Sequence, residues 1–179
     1  MSGRLLRRAA RLATVMAALG AGCGSGTAAP PASGGPVDFT IGGLAIHFSS
    51  GAAAVVGGVL TLYLIDLPAA CATLTNVSTG NPPLGKLTTL AVRVVADSSG
   101  NTGATVVAPT PVPPPGHAAG SLVQKLSGAV SATFDLADGT VAWTTDSSGN
   151  VTLVSVDVGF AGTTDRLVSR GLYLPACRL

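Results

Sequence analysis

The 179-residue chain sets ten Lys and Arg against eight acidic residues, and only 10% of its residues are charged. Four arginines (Arg4, Arg7, Arg8, Arg11) stand in the first eleven positions; beyond residue 22, six basic residues face eight Asp, a net charge of −2. With no cluster of Lys or Arg left to neutralise phosphates, nucleic acid is excluded as a partner. The absence of Glu and the wealth of Ala, Val, Thr, Gly and Ser favour β-structure over exposed helices.

Met1 to Arg11 is basic without an acid, and Leu12 to Gly22 is uncharged and rich in Ala, Leu, Val and Met. A basic segment, an apolar run of about 7–15 residues and small residues at its end define a secretory signal. The run is shorter than the roughly 20 residues that a spanning helix needs. Cys23 follows Leu19-Gly20-Ala21-Gly22 directly. This arrangement resembles the lipobox of bacterial lipoproteins, which implies cleavage before Cys23 and acylation of its thiol. That family usually places Leu three residues before the cysteine; here Gly20 holds that place and Leu19 lies one further back. The alternative is an ordinary signal peptide cut near Gly20. The resemblance implies an exported protein lipid-anchored to the envelope through Cys23. Gly24, where Asp would retain it, points to the outer membrane.

The chain therefore divides into a signal peptide over 1–22, the lipidated cysteine with a flexible Gly/Pro/Ser linker over 23–36, and a β-domain over 37–179. Gly24 to Pro36 has no periodicity and reads as a coil. Its end-to-end distance is roughly 20 Å. Val37, Phe39 and Ile41 then alternate with polar residues, and after Gly42-Gly43 the residues Leu44, Ile46 and Phe48 repeat the pattern, which predicts a hairpin with a two-residue turn. Residues 42–65 carry no charge, but glycines and serines interrupt them too often for a membrane span. Val59 to Ile65 reads as a central strand buried on one face and partly on the other.

Cys71 follows at Asp66-Leu67-Pro68-Ala69-Ala70-Cys71, and Asn76 to Gly85 reads as loop. Leu90, Val92, Val94 and Ala96 mark a strand that ends at Asp97-Ser98-Ser99-Gly100-Asn101, and Ala104 to Ala108 returns. Pro109 to Gly120 is expected as an extended surface loop, because proline has no N–H to give a sheet. Ala132, Phe134 and Leu136 alternate up to an expected turn at Ala137-Asp138-Gly139. Val141 and Trp143 continue to a second Asp-Ser-Ser-Gly-Asn at 146–150. Val154, Val156, Val158 and Phe160 are out of phase with Val151 and Leu153, which predicts a β-bulge near 153–154. Leu167 to Leu174 closes the domain. No helical stripe stands out, and short strands with regular turns predict an all-β fold, a single antiparallel sandwich or barrel-like domain.

Three cysteines are present. If Cys23 takes the lipid, Cys71 and Cys177 remain as a pair in an oxidising compartment, where disulfides persist; two separate buried thiols are the alternative. The layout resembles a set of short, poorly characterised bacterial lipoproteins. The residues that carry the likeness are the lipobox, the linker, the apolar strand before Cys71, Val130-Ser131-Ala132-Thr133-Phe134-Asp135-Leu136 and Gly171-Leu172-Tyr173-Leu174-Pro175-Ala176-Cys177. No activity travels with that resemblance.

Chemistry is thinly signalled. His47 is expected on the outer face of the hairpin and His117 in the proline loop; Ser49, Ser50 and an Asp could complete a Ser-His-Asp set, but no Gly-x-Ser-x-Gly turn presents a nucleophile. Two histidines and a cysteine pair give no zinc spacing, and no glycine-rich phosphate cradle opens a helix. The twin Asp-Ser-Ser-Gly-Asn segments offer oxygen ligands suited to calcium, although Asx and Gly also make turns for backbone reasons. Tyr63 and Tyr173 are left as surface aromatics for a glycan. No catalytic residue, metal or cofactor is assigned. The expectation is a non-enzymatic envelope lipoprotein with a structural or protein-contact role, held to the membrane by its lipid; the alternative is a glycan- or calcium-binding β-sandwich.

Overall fold

The computed structural model describes residues 36–179; the signal peptide, Cys23 and nearly all of the linker lie outside the described residues. The fold is all-β, with 59% of the described residues in strands. β1 (Val37–Ile41) and β2 (Leu44–Phe48) form the expected hairpin. Its turn places Gly42 at φ 53° and Gly43 at φ 80°, a pair of left-handed residues that glycine supplies without strain.

Nine further strands make one curled sheet. They are β3 (Ser50–Val56), β4 (Val59–Ile65), β5 (Lys86–Val94), β6 (Gly103–Val106), β7 (His117–Leu126), β8 (Ala129–Thr145), β9 (Val151–Phe160), β10 (Arg166–Leu174) and β11 (Ala176–Cys177). The order across the sheet is β10-β9-β8-β6-β7-β5-β4-β3-β11, with β7 also paired to β8. Pairing is antiparallel except for β6 with β7 and β11 with β3, so the sheet is mixed where a purely antiparallel one is expected. The two parallel contacts span two residue pairs each; β11 extends the sheet at its β3 edge, while β6 fits between β8 and β7.

The curl encloses the main core. Leu62, Leu64, Leu90, Val92, Leu122, Val141, Trp143, Leu153 and Val158 point inward together, as period-2 alternation dictates. The β1–β2 hairpin packs on the same core through Ile41, Ile46 and Phe48. Phe39 stacks on Phe160 at 5.9 Å between ring centres, and the Gly42 amide donates to Asp165 Oδ2 at 2.7 Å. The curl brings β10 against β3: a β-carbon on Gly51 would strike the Leu174 side chain.

Three expectations are corrected. Ala137-Asp138-Gly139 does not turn the chain: β8 runs through it as one strand of 17 residues. Ala137 is extra opposite β9, and such a bulge bends a strand without ending it. Gly139 sits at φ 116°, against the Asp157 backbone, so glycine serves a close approach there. The bend lets β8 pair first with β7 and then with β6. Secondly, the proline loop ends earlier than Gly120, because β7 begins at His117, and Ala118, Ala119 and Gly120 are buried in the sheet. Thirdly, a helix is present, α1 (Ala70–Ser78). It lies on the outer face of β3, β4 and β5, where Ala70 and Leu74 join Ala52, Ile65 and Leu87 in a second, smaller core. The bulge expected near 153–154 is found: Ala142 faces Ser155 and Trp143 faces Leu153, which leaves Val154 unpaired.

Candidate functional site

A cavity of about 500 Å³ lies between α1 and the outer face of the curled sheet. The register explains how it forms. Tyr63 on β4, Ala91 on β5 and Ser121 on β7 are successive cross-strand partners and so share one face. Ala91 and Ser121 are small and make a low floor. Ile65, Leu87 and Val123 stand higher on the same face. Leu74 and Val77 of α1 form one wall, and Val55, Val56 and Leu179 form another.

The lining is mainly apolar, with hydroxyls from Thr73, Ser78, Thr89, Ser121 and Tyr63. Among the described residues, Lys125 is the single charged side chain that lines the cavity. Burial raises the Tyr63 phenol above its usual pKa, opposed by the nearby Arg93 charge and a hydrogen bond with Thr61, so Tyr63 stays a neutral phenol at physiological pH. A sheltered, mostly apolar pocket of this size falls within the roughly 300–1,000 Å³ typical of small-molecule sites.

The disulfide ties the two walls together. Cys71 in α1 and Cys177 in β11 are bridged with their Cα atoms 5.4 Å apart. Ala176 and Cys177 pair with Ala53 and Ala54 of β3. The Ala53 amide also donates to the Pro175 carbonyl at 2.9 Å. Leu179 is thereby held beside the β3 tip.

The remaining sequence-selected residues fall elsewhere. Cys23 is outside the described residues. His47 is exposed, with Nδ1 2.5 Å from Asp38 Oδ1 on the paired strand, and His117 holds the Pro115 carbonyl at 2.9 Å through Nδ1. Ser50 Oγ donates to the Leu67 carbonyl at 2.5 Å. Ser49 Oγ is buried with no hydrogen-bond partner among the described residues, so no histidine activates it.

The twin Asp-Ser-Ser-Gly-Asn segments are matching turns. Asp97 Oδ1 accepts the Ser99 and Asn101 amides at 2.9 and 2.8 Å, while Oδ2 accepts Asn101 Nδ2 at 2.7 Å. Asp146 repeats this with Ser148 and Asn150 at 2.8, 3.0 and 2.9 Å. The hydrogen bonds from Asn101 and Asn150 hold the two carboxyls below the usual Asp pKa. Their oxygens hold the turn's own backbone and Asn amides, and among the described residues no group of three His, Cys, Asp or Glu gathers to hold a metal.

Elsewhere on the sheet, Arg166 spans Asp138 and Asp157 at 2.5 and 2.7 Å. Gly159 makes room for this triad, since a β-carbon there would crowd both Asp138 and Arg166. Among the described residues, no helix is long and apolar enough to cross a membrane. The chain matches no known protein family, no curated protein and no solved structure.

Proposed function

We propose that this chain is an exported bacterial lipoprotein, held to the envelope by a lipid on Cys23, whose β-domain acts by binding an apolar small molecule and not by catalysis. The observation that carries the binding half is the cavity between α1 and the sheet, walled by aliphatic side chains. Its chemistry suits neither a divalent ion, which asks for several oxygen ligands, nor a glycan, for which Tyr63 is the single aromatic side chain in the lining. The anchor rests on the basic and apolar segments that precede Cys23. Two or more acyl chains on that residue give stable attachment where one gives marginal binding.

Metabolic labelling with a fatty-acid probe should mark the wild type and leave Cys23→Ser unmarked. The Cys23→Ser protein, purified from the export compartment and extracted with organic solvent, should release a co-purifying apolar molecule. Recovery of the wild type as a soluble, unlabelled protein overturns the anchor, and an extract indistinguishable from that of Ala91→Phe overturns the binding role. A second reading, contact with another envelope protein, is favoured by one end of the sheet. There Leu84 and Leu126 are 98% and 58% exposed, and Val130, on the other face beside Lys125, is 61% exposed.

A further inference from the structure

We infer that the pocket's ligand is a single-chain anionic amphiphile, its acyl chain lying under α1 on the Ala91 and Ser121 floor and its head group at Lys125; this rests on reading the pocket as a binding site. Volume sets the number of chains. At about 30 Å³ for each water-sized group, the 500 Å³ cavity holds roughly sixteen methylene-sized groups. That is room for one long acyl chain.

Shape argues for a chain in preference to a rounded ligand. The cavity crosses the sheet from the β3 tip at Val55 and Val56, past Tyr63 and Ala91, to Val123 and Lys125 on β7. Those four neighbouring strands are spaced about 4.8 Å apart, so the cavity is longer than a compact ring system needs. Leu74 and Val77 roof part of it, and contact on several sides is what the flanks of a flexible apolar chain require.

Charge sets the head group. Lys125 is half-buried and lines the cavity, and among the described residues no carboxylate pairs with it. The nearest acid on the neighbouring strand, Asp135, stands across from Ser121, four residues along β7 and about 13 Å away. A lysine in this setting lays its stem on the apolar wall and keeps its ammonium at the rim. There a carboxylate or phosphate finds a charge-assisted hydrogen bond.

The test uses the full chain carrying Cys23→Ser, with the disulfide formed, so that no attached lipid competes. Calorimetric titrations, each below the aggregation point of the probe, compare palmitate, palmitoyl lysophosphatidic acid and hexadecanol. Both anions should bind with one-to-one stoichiometry and about tenfold more tightly than the alcohol; the tighter of the two identifies the head group as carboxylate or phosphate. Lys125→Gln should bring the anions to the level of hexadecanol, and Lys125→Glu should shift preference to hexadecylamine. Ala91→Phe or Ser121→Leu should abolish binding of every probe, with circular dichroism showing which of the two remains folded. Equal affinity for palmitate and hexadecanol, an unaffected Lys125→Gln protein, or two chains bound per protein overturns this inference while leaving an apolar binding site in place. Failure of all three probes overturns both.

Discussion

Asp146 and Asp97 each hold three donors with one carboxylate, yet the two turns do different work. Asn150, at the end of the second, also accepts the Ala176 amide on Oδ1 at 3.0 Å and so braces β11; Asn101 has no such duty in the first. Asn150→Ala should therefore cost about 1 kcal/mol more than Asn101→Ala, one net hydrogen bond, measured by urea unfolding. The pH dependence follows from the direction of the shifts. Both carboxyls titrate below the usual Asp value in the folded chain, so their contribution is complete above the unfolded value of about 3.9 and fades as pH falls through the lower folded value. An acid titration followed by NMR should show the 97–101 and 146–150 amides shifting below that range, with the inward residues of β5 unchanged. At this scale the sequence was informative about role. Asx and Gly in the two segments signalled turns, and their carboxylates prove to be spent on amides of the turn itself, backbone and Asn side chain.

The strands were readable wherever one face is buried and the other wet, as in β1, β2 and β9, because period-2 alternation then reports burial directly. The bulge at Val154 was readable for the same reason, as a break in phase. The turn expected at Asp138-Gly139 failed because a glycine can answer two needs. Here it admits the Asp157 backbone inside a continuous strand. Gly139→Ala meets both positive φ and that carbonyl, and should cost roughly 2–4 kcal/mol in equilibrium unfolding.

α1 was hidden by the modesty of its stripe. Ala70, Thr73, Leu74 and Val77 do stand at helical spacing, and the first three are buried, but Ala and Thr carry little hydrophobic signal. The better clue lay opposite, in the outward positions between Arg93 and Lys125, which carry no charge: Ala91 and Thr89 on β5, Ser121 and Val123 on β7. A sheet apolar on both faces calls for a second layer. Leu74→Ala should lower stability by about 2 kcal/mol, toward the low end for buried leucines because the site already borders a cavity. The same change should widen the pocket and slow no step of core formation, which stopped-flow refolding can check.

Across the whole molecule, the disulfide joins positions 106 residues apart, for which loop-closure entropy gives about 4–5 kcal/mol as an upper figure. Cys71→Ser with Cys177→Ser should lower the midpoint of thermal unfolding markedly yet leave a cooperative transition, because the main core lies inside the curl and touches neither sulfur. The all-β class and the pairing of Cys71 with Cys177 were legible from alternation and cysteine parity. The pocket was not, since its walls come from β3, α1, β7 and the segment after β10, and nothing along the chain announces that they meet.

That meeting has a consequence for how the site opens. The wall carrying Leu179 hangs on β11, a strand with two residue pairs to β3, and on a bridge to the helix that forms the opposite wall. β11 is an edge strand with few ladder bonds, which places it at the low end of local stability. Once the bridge is reduced, β11 should peel from β3 while the curl stays closed, so that hydrogen exchange at the Ala53 amide, which donates to Pro175, accelerates and the central amides of β5 and β7 keep their protection. Retained protection at Ala53 after reduction would show that the ladder alone holds the wall. Peeling would separate discharge of the cavity's contents from loss of the fold, and make the bridge a latch on one side of a container whose other sides never move.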